Sequence, residues 1–268
     1  MRVALLLLLA SGLTSAGASA QTYPMQTPVP RTTSLPALRA MAVSREVEER
    51  FRLGLDALSA GKFSAAAAEF ERAIALNPPE PKGSTARYDA AVAYANLGRY
   101  DDAARNLRAA IALDPGFLAA MANLVAVDLA RGDLSEARIV ADRYVALDPE
   151  SARALYSRGI VALRAGDARA ARDDFGKLLR ANPAYAVAHY DLALAEERLG
   201  NPAAAERELR SALVLAPTYA RAELALGALL LKEGRRAEAR DAFVQASRNA
   251  TDPALQNLAT AMRDSISI

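Results

Sequence analysis

Residues 186–219 have the sequence AVAHYDLALAEERLGNPAAAERELRSALVLAPTY, and this stretch predicts the fold of most of the chain. Gly200 separates two helical patterns, and Pro217 follows the second of them. Glycine accepts the left-handed conformation that follows a helix end, whereas proline lacks an N–H and disfavours helix in the preceding residue. Leu209 and Leu213 lie four residues apart, on one face of the second pattern. The stretch therefore predicts a helical hairpin with a tight glycine turn.

The same unit recurs along the chain with a constant period of 34 residues. Three residue types share this period: Gly98, Gly132, Gly166, Gly200 and Gly234; Pro115, Pro149, Pro183 and Pro217; and Ala103, Ala137, Ala171, Ala205 and Ala239. Chance does not give three residue types one period, so the sequence predicts a tandem repeat array. The predicted repeats span residues 47–80, 84–117, 118–151, 152–185, 186–219 and 220–251.

Small residues recur at fixed positions of both predicted helices. Two antiparallel helices joined by a short turn must approach closely, and only small side chains permit this approach. The third repeat departs from the pattern and is predicted to pack more loosely, because it has Val125, Ala141 and Tyr144 at three of the regular positions. The small residues are Gly54, Ala91, Gly159, Ala193 and Gly227 on the first helices, and Ala66 with its five equivalents on the second helices.

The junction between the first two repeats carries three extra residues. Pro78 and Pro115 are 37 residues apart instead of 34, and the insertion falls within Pro79-Glu80-Pro81-Lys82-Gly83. Consecutive repeats pack directly on each other, so these residues are predicted to form a surface loop.

The two ends of the chain differ from the repeats. Residues 1–20 combine Arg2, a short apolar run and the ending Ala18-Ser19-Ala20, which is typical of a secretory signal peptide cleaved after Ala20. The apolar run is far shorter than the ~20 residues of a membrane-spanning helix. The sequence therefore predicts a periplasmic or secreted protein with no stable membrane insertion after cleavage.

Two further segments flank the array. Residues 21–46 are predicted to be a disordered linker, rich in Pro, Thr, Ser and Gln up to residue 36, with a short lead-in helix from Ala37. Residues 252–268 are predicted to form a C-terminal capping helix, because Asp252 suits a helix N-cap and solenoids require a solvating end. Its predicted apolar face consists of Leu255, Leu258, Ala259 and Met262.

Composition argues against several kinds of function. The formal net charge is +2, with both signs interspersed, so there is no electrostatic argument for nucleic acid. The chain has no cysteine and one histidine, His189, which is too little for a metal cluster and leaves no thiol nucleophile. His189 is interpreted as a packing residue. No catalytic sequence motif is present, so we expect neither a cofactor nor an enzymatic activity.

The repeat resembles the tetratricopeptide repeat. The shared features are a small residue, a glycine turn, a fixed alanine, an aromatic residue four positions later and a final proline, and the clearest copy is Gly159, Gly166, Ala171, Phe175 and Pro183. The resemblance covers about residues 47–251. It implies an all-α fold, a right-handed α-solenoid of six helical hairpins.

The resemblance also implies that the first helix of each repeat lines a concave groove that binds a partner. Aromatic and aliphatic side chains with a few polar points suit an extended or helical peptide, and rigid aromatics are frequent binding hot spots. The alternative is that individual side chains only pack between helices. The Lys/Asn carboxylate clamp of some family members is absent at four of its five positions. The candidate residues are Phe51, Leu55, Tyr88, Asp89, Val92, Asn123, Arg153, Tyr156, Ile160, Tyr190, Asp191 and Leu194.

These observations favour one functional hypothesis over two others. The favoured hypothesis is a non-catalytic periplasmic scaffold or adaptor that binds a protein or peptide in envelope assembly, secretion or polysaccharide export. The first alternative is a glycan-binding or enzymatic subunit that uses the same groove. The second is a structural protein that associates with itself as a homo-oligomer.

Overall fold

The computed structural model describes residues 34–266, except for the side chain of Leu38. The predicted signal peptide and most of the predicted linker lie outside these residues. The described chain is all-α, as the sequence predicts, and contains no strand between residues 34 and 266. The helices are α1 (Leu35–Ser59), α2 (Phe63–Ala75), α3 (Lys82–Asn96), α4 (Tyr100–Leu113), α5 (Leu118–Arg131), α6 (Leu134–Leu147), α7 (Ala152–Arg164), α8 (Ala168–Ala181), α9 (Ala186–Arg198), α10 (Pro202–Leu215), α11 (Ala220–Lys232), α12 (Arg236–Asn249) and α13 (Pro253–Asp264).

The helices form two compact units. The first unit extends to Asp133 and contains α1–α5; the second begins at Leu134 and contains α6–α13. The division falls between the two helices of the third repeat. Within each unit every helix packs against the next one along the chain, and α13 packs against α12. Helical hairpins stacked in chain order are the arrangement of an α-solenoid.

The glycines that set the sequence period end the first helices, as predicted. Gly98, Gly132, Gly166, Gly200 and Gly234 all have positive φ, between 72° and 83°. At Gly166 the following residue, Asp167, donates its backbone N–H to Ala162 at 2.9 Å, which closes the helix end. No atom lies within 4 Å of a Cβ placed on any of these five glycines. The left-handed backbone therefore selects glycine here, and crowding does not.

The glycines inside the first helices have a different cause. A Cβ added at Gly159 would lie 2.6 Å from Cε1 of Phe175, whose side chain is completely buried. Gly54 and Gly227 face Phe70 and Phe243 in the same way. The sequence alone predicts close approach of the two helices at these positions. The structure shows a specific cause, an aromatic ring of the second helix that occupies the space above the glycine.

The two facing positions vary together in size. Where the second helix has leucine instead of phenylalanine, the first helix has alanine instead of glycine. In the sequence, the third repeat has valine on α5 and alanine on α6 at the corresponding positions, and these two helices belong to different units. Val125, Ala141 and Tyr144 are all buried, each within its own unit. The pairs within the units are Gly54 with Phe70, Gly159 with Phe175, Gly227 with Phe243, Ala91 with Leu107 and Ala193 with Leu209.

The N-terminal helix is longer than predicted. α1 begins at Leu35, where the Ser34 hydroxyl accepts a hydrogen bond from the N–H of Ala37, and it runs without a break to Ser59. The lead-in segment and the first helix of the first repeat are thus one helix. The physical reason is that residues 37–53 contain neither glycine nor proline, so nothing in the sequence interrupts the hydrogen-bond ladder.

The insertion between the first two repeats is only partly a loop. Pro79, Glu80 and Pro81 are exposed and link α2 to α3, as predicted. Lys82 and Gly83 belong to the first turn of α3 instead, and Gly83 is buried. The prediction was wrong for these two residues. The Glu80 carboxylate accepts the N–H of Ser84 at 3.2 Å and caps the start of the helix.

The C-terminal helix forms where the sequence predicts it. Asp252 accepts the N–H of Ala254 at 3.0 Å, and Pro253 is the first residue of α13. Ala259 and Ile266 are buried, and Ile266 joins the hydrophobic cluster of the last hairpin. Leu258 was predicted on the apolar face, but it is 50% exposed. Ile266, which follows the helix, contributes to the buried contact that the sequence analysis assigned to Leu258.

The contact between Gly159 and Phe175 predicts the effect of one methyl group. Gly159→Ala should destabilise the protein by roughly 1–3 kcal/mol, because the buried ring has no space to move. Gly176→Ala is the matched control: it lies inside α8, where a Cβ would be 3.6 Å from the end of the Arg180 side chain. Removal of a helix-interior glycine should stabilise by about 0.5–1 kcal/mol. Chemical unfolding of both variants measures the two signs.

A double variant tests the size relation directly. Gly159→Ala combined with Phe175→Leu reproduces the pair found in the fifth repeat, Ala193 with Leu209. We expect it to be more stable than the sum of the two single changes by about 1 kcal/mol, since the clash and the cavity compensate each other. Strict additivity of the three free energies of unfolding would contradict this explanation.

Candidate functional site

The twelve candidate residues lie on first helices of the repeats, six in each unit. Leu55 is 49% exposed and Arg153 is exposed, whereas Asn123 and Asp191 are 6% exposed. The remaining eight side chains are half-buried. The first unit holds Phe51, Leu55, Tyr88, Asp89, Val92 and Asn123; the second holds Arg153, Tyr156, Ile160, Tyr190, Asp191 and Leu194.

In the second unit a tyrosine of one repeat bonds to the next repeat. The Tyr156 hydroxyl on α7 donates a hydrogen bond to Oδ2 of Asp191 on α9, at 2.8 Å. The Tyr156 ring also contacts Phe175 and Tyr185, with ring centroids 5.9 and 5.6 Å apart. These contacts hold the half-buried ring in place. Tyr156 therefore takes part in packing between repeats, whatever else it contacts on its open side.

Two aromatic residues of this surface, Tyr185 and Tyr219, are not among the twelve candidates. Tyr185 precedes α9 and Tyr219 precedes α11; the Tyr219 ring contacts the Tyr190 ring at a tilted angle, with centroids 5.2 Å apart. The signal was present in the sequence, because Phe117, Tyr185 and Tyr219 share the last position of their repeats. Tyr156, Tyr185, Tyr190 and Tyr219 form a row of four neighbouring tyrosines in the second unit.

Asp191 is the buried charge within this row. Burial raises the pKa of its carboxyl to about 6, although the hydrogen bond from Tyr156 and the positive charges of Arg164 and Arg221 act in the opposite direction. Burial favours the neutral form of a carboxyl, and cations favour the charged form. Asp191 is therefore a bonded structural carboxylate rather than an exposed acid.

The first unit repeats this arrangement with different residues. Asn123 on α5 donates a hydrogen bond from Nδ2 to the Tyr88 hydroxyl at 3.2 Å, across 35 residues, as Tyr156 and Asp191 do. The Tyr88 ring contacts Phe117 with centroids 5.1 Å apart. The same two repeat positions thus connect successive repeats in both units.

In the first unit, Asp89 lies at the same repeat position as Asp191 but, within residues 34–133, faces no tyrosine hydroxyl. Asp89 corresponds to Asp191 and Asn123, but the repeat before it has Phe51, whereas the repeats before Asn123 and Asp191 have Tyr88 and Tyr156. A phenyl ring cannot donate a hydrogen bond to the carboxylate. Burial is the only cause of the shift that raises the pKa of Asp89 to about 7.

The histidine has a structural role. Nδ1 of His189 lies 2.6 Å from the Glu208 carboxylate on α10, and Nε2 lies 2.9 Å from the Pro183 carbonyl before α9. These contacts join the two helices of the hairpin to the preceding turn. Among residues 34–266, no group of three or more His, Asp or Glu side chains is placed to hold a metal ion. No helix in this part of the chain is long and apolar enough to cross a membrane.

Comparison with protein-family models agrees with this geometry. One tetratricopeptide repeat model matches residues 51–116, 156–220 and 190–253, which is more than half of the chain, and a second matches residues 97–158. The chain belongs to the tetratricopeptide repeat family. Members of this family are typically non-catalytic scaffolds that bind protein partners.

Solved tetratricopeptide structures share the fold. The APC/C hetero-tetramer Cut9-Hcn1 aligns with a TM-score of 0.68 and 18% identity, over 85% of this chain and 45% of that one. PilF of Pseudomonas aeruginosa aligns with a TM-score of 0.65 and 19% identity, over 82% of this chain and 99% of that one. MamA aligns with a TM-score of 0.54 and 25% identity, over 62% of this chain and 91% of that one. Comparison with curated proteins gives no significant sequence match.

Asp89 predicts a pH dependence of stability. Its pKa in the folded chain, about 7, is higher than its ordinary value of 3.8, so folding favours the neutral carboxyl. The free energy of unfolding should therefore fall as pH rises from about 4 to about 7. Asp89→Asn, which stays neutral, should flatten this dependence and stabilise the protein above pH 7. Chemical unfolding across this pH range provides the measurement.

The control for Asp89→Asn is the same substitution at a solvent-exposed aspartate. Asp241 on α12 is exposed, so Asp241→Asn should leave the pH dependence of the parent protein in place. An identical pH dependence of unfolding in the parent protein and in Asp89→Asn would show that burial of Asp89 does not contribute.

The hydrogen bond of the Tyr156 hydroxyl predicts a difference in stability between two Tyr→Phe variants. Tyr156→Phe leaves the buried Asp191 carboxylate without its hydrogen-bond donor, so it should destabilise the protein by about 1–3 kcal/mol. Tyr185→Phe removes a hydroxyl from the neighbouring ring, which makes no hydrogen bond within residues 34–266, and it should have little effect. Chemical unfolding at a pH above 6, where Asp191 is ionised, compares the two variants. Equal stability of the two would contradict a structural role for the bond between Tyr156 and Asp191.

Proposed function

We propose that this chain is an exported, non-catalytic scaffold that binds a protein or peptide on its first helices. The observation that carries the proposal is the row of half-buried aromatic and aliphatic side chains on these helices, in a family whose members typically bind proteins. The twelve candidate residues are the proposed contact residues, with Tyr185 and Tyr219 added to the row in the second unit.

Preorganisation of the tyrosines supports this use. The hydroxyls of Tyr88 and Tyr156 are bonded to the next repeat, and the rings contact other aromatic rings. A side chain that is already ordered loses little conformational entropy when a partner covers its open face. Tyrosine rings held in this way are frequent hot spots of protein interfaces.

Export is the second part of the proposal. The residues that support it are Arg2, the apolar run and the Ala18-Ser19-Ala20 ending of the first 20 positions. A scaffold that is exported by this route would act in the periplasm or outside the cell, in a process such as envelope assembly, secretion or polysaccharide export. Cut9-Hcn1, which has the same fold, forms a hetero-tetramer, so this type of fold is compatible with a protein partner.

Site-specific crosslinking tests the proposed surface. A photo-crosslinking amino acid replaces Leu55 on α1 or Leu194 on α9, and the control position is Val214 on α10, which is 80% exposed. In cells that express the full chain, we expect crosslinks from Leu55 and Leu194 to another polypeptide, and none from Val214. We expect the crosslinked protein in the periplasmic fraction, without its first 20 residues.

Each part of the proposal fails separately. Crosslinks from Val214 alone would contradict binding on the first helices. Crosslinks only between two copies of this chain would favour the self-associating alternative. Cytoplasmic protein with an intact N-terminus would contradict export and leave the binding surface to be judged by its crosslinks.

A further inference from the structure

The first helices of the second unit share a charged stripe. On α7, Arg153, Tyr156, Ile160 and Arg164 are separated by three, four and four residues, a spacing that puts them on one helical face. α9 has Val187, Tyr190, Leu194 and Arg198 at the same positions, and α11 has Arg221, Leu224, Ala228 and Lys232. Each helix thus carries apolar residues in the middle of the stripe and a basic residue at its C-terminal end, and α7 and α11 carry a second one at the start.

This stripe is specific to the second unit. The five basic residues, Arg153, Arg164, Arg198, Arg221 and Lys232, are all exposed. The first helices of the first unit have Glu48, Thr85 and Ala119 at the starting position, and Ser59, Asn96 and Ala130 at the end. None of these six residues is basic, so the pattern is not a requirement of the repeat fold.

In the described part of the chain, two arginines of the stripe have no ion-pair partner, in contrast to Arg158 and Arg235. Away from the stripe, Arg158 pairs with Asp174 at 2.6 Å, and Arg235 pairs with Glu206 at 2.9 Å. Within residues 34–266, Arg164 and Arg221 form no salt bridge and no side-chain hydrogen bond. Free guanidinium groups give this surface a positive potential that attracts an acidic partner.

The charges of the stripe surround the tyrosine row. Arg153 acts electrostatically on Tyr185, and Arg221 acts on Tyr190 and Tyr219. Of two acids nearby, Glu197 pairs with Lys232 and offsets its charge, and Asp191 is buried and bonded to Tyr156. Within residues 34–266, Arg164, Arg198 and Arg221 form no salt bridge with either acid. Basic groups therefore border an apolar, aromatic strip.

We propose that the first helices of the second unit bind an acidic polypeptide segment that also carries apolar side chains. This proposal rests on the function proposed above and specifies the chemistry of the partner. The apolar side chains of the segment would lie on Tyr190 and Leu194. Its Asp and Glu side chains would pair with Arg164, Arg198 and Arg221, since guanidinium matches the geometry of a carboxylate.

The test is an unbiased peptide selection. A random peptide library displayed on phage is selected on the purified mature chain, and an enriched peptide is then measured by fluorescence polarisation. We expect enrichment of acidic peptides with Leu, Phe or Tyr, and an affinity that falls as salt rises. The triple variant Arg164→Gln, Arg198→Gln and Arg221→Gln should lose about tenfold or more in affinity.

A second triple variant controls for net charge. Arg138→Gln, Arg169→Gln and Arg207→Gln removes three exposed arginines from second helices of the same unit, and it should bind the enriched peptide with unchanged affinity. Equal losses in the two triple variants would show a non-specific charge effect and overturn the proposal. Thermal unfolding of both variants checks that they are folded.

The remaining outcomes separate this proposal from the function on which it rests. Enrichment of neutral or basic peptides whose binding is lost in Tyr190→Ala would overturn the acidic partner and support the peptide-binding surface. A single-stranded oligonucleotide that competes as well as the acidic peptide would overturn the proposal in favour of a nucleic acid ligand. A selection that enriches no peptide would also overturn it, while the crosslinks from Leu55 and Leu194 decide the broader function.

Discussion

The structure depends on one contact, a buried phenyl ring placed directly above a glycine of the facing helix. In the fourth hairpin a single methyl group on Gly159 would lie 2.6 Å from Phe175, so the distance between α7 and α8 is set by this pair. The first and sixth hairpins repeat it, and two others replace Phe and Gly with Leu and Ala. The combined volume of the two facing side chains, rather than either residue alone, keeps the hairpins uniform. Uniform hairpins can then stack with a constant period inside each unit.

A constant period places the same side chains next to each other at every junction. A residue of one first helix meets the next first helix 35 positions later, which is why Tyr156 bonds to Asp191 and Asn123 bonds to Tyr88. At the junction that has the insertion, between the first two repeats, the tyrosine is missing. Phe51 occupies its position, and Asp89 is left with a raised pKa caused by burial alone. The replacement of the tyrosine by Phe51 therefore changes the pKa of one neighbouring carboxyl, while the helical hairpin itself still forms.

Features that follow from the 34-residue period, such as the helix ends, were predictable from the sequence. Side-chain contacts that depend on neighbours in the folded structure were not. Helix ends were predictable because Gly166 and its equivalents have one physical cause, a left-handed backbone. The contact between Gly159 and Phe175 was not predictable, because a one-dimensional pattern does not show which side chain of the second helix lies above the glycine. The continuity of α1 was underestimated because the lead-in residues lack the repeat pattern, although they also lack any helix breaker. Two of the four tyrosines in the row were predicted. Tyr156 and Tyr190 lie at positions that the family resemblance implies for the groove, whereas Tyr185 and Tyr219 lie in the turns.

Repeat positions that are the same in every hairpin say nothing about a partner, because packing already explains them. The informative positions are those that face solvent and differ between units that share one fold. The end of the first helix is such a position: it is Ser59, Asn96 and Ala130 in the first unit and Arg164, Arg198 and Lys232 in the second. Helix packing tolerates both sets, so the repeat fold does not require a basic residue at this position. Two of the three basic residues have contacts inside the unit, because Arg198 bonds to the Leu163 carbonyl and Lys232 pairs with Glu197, each in the preceding repeat. Arg164 has no such contact within residues 34–266, and its exposed guanidinium distinguishes the surface of the second unit from the packing that the repeats share.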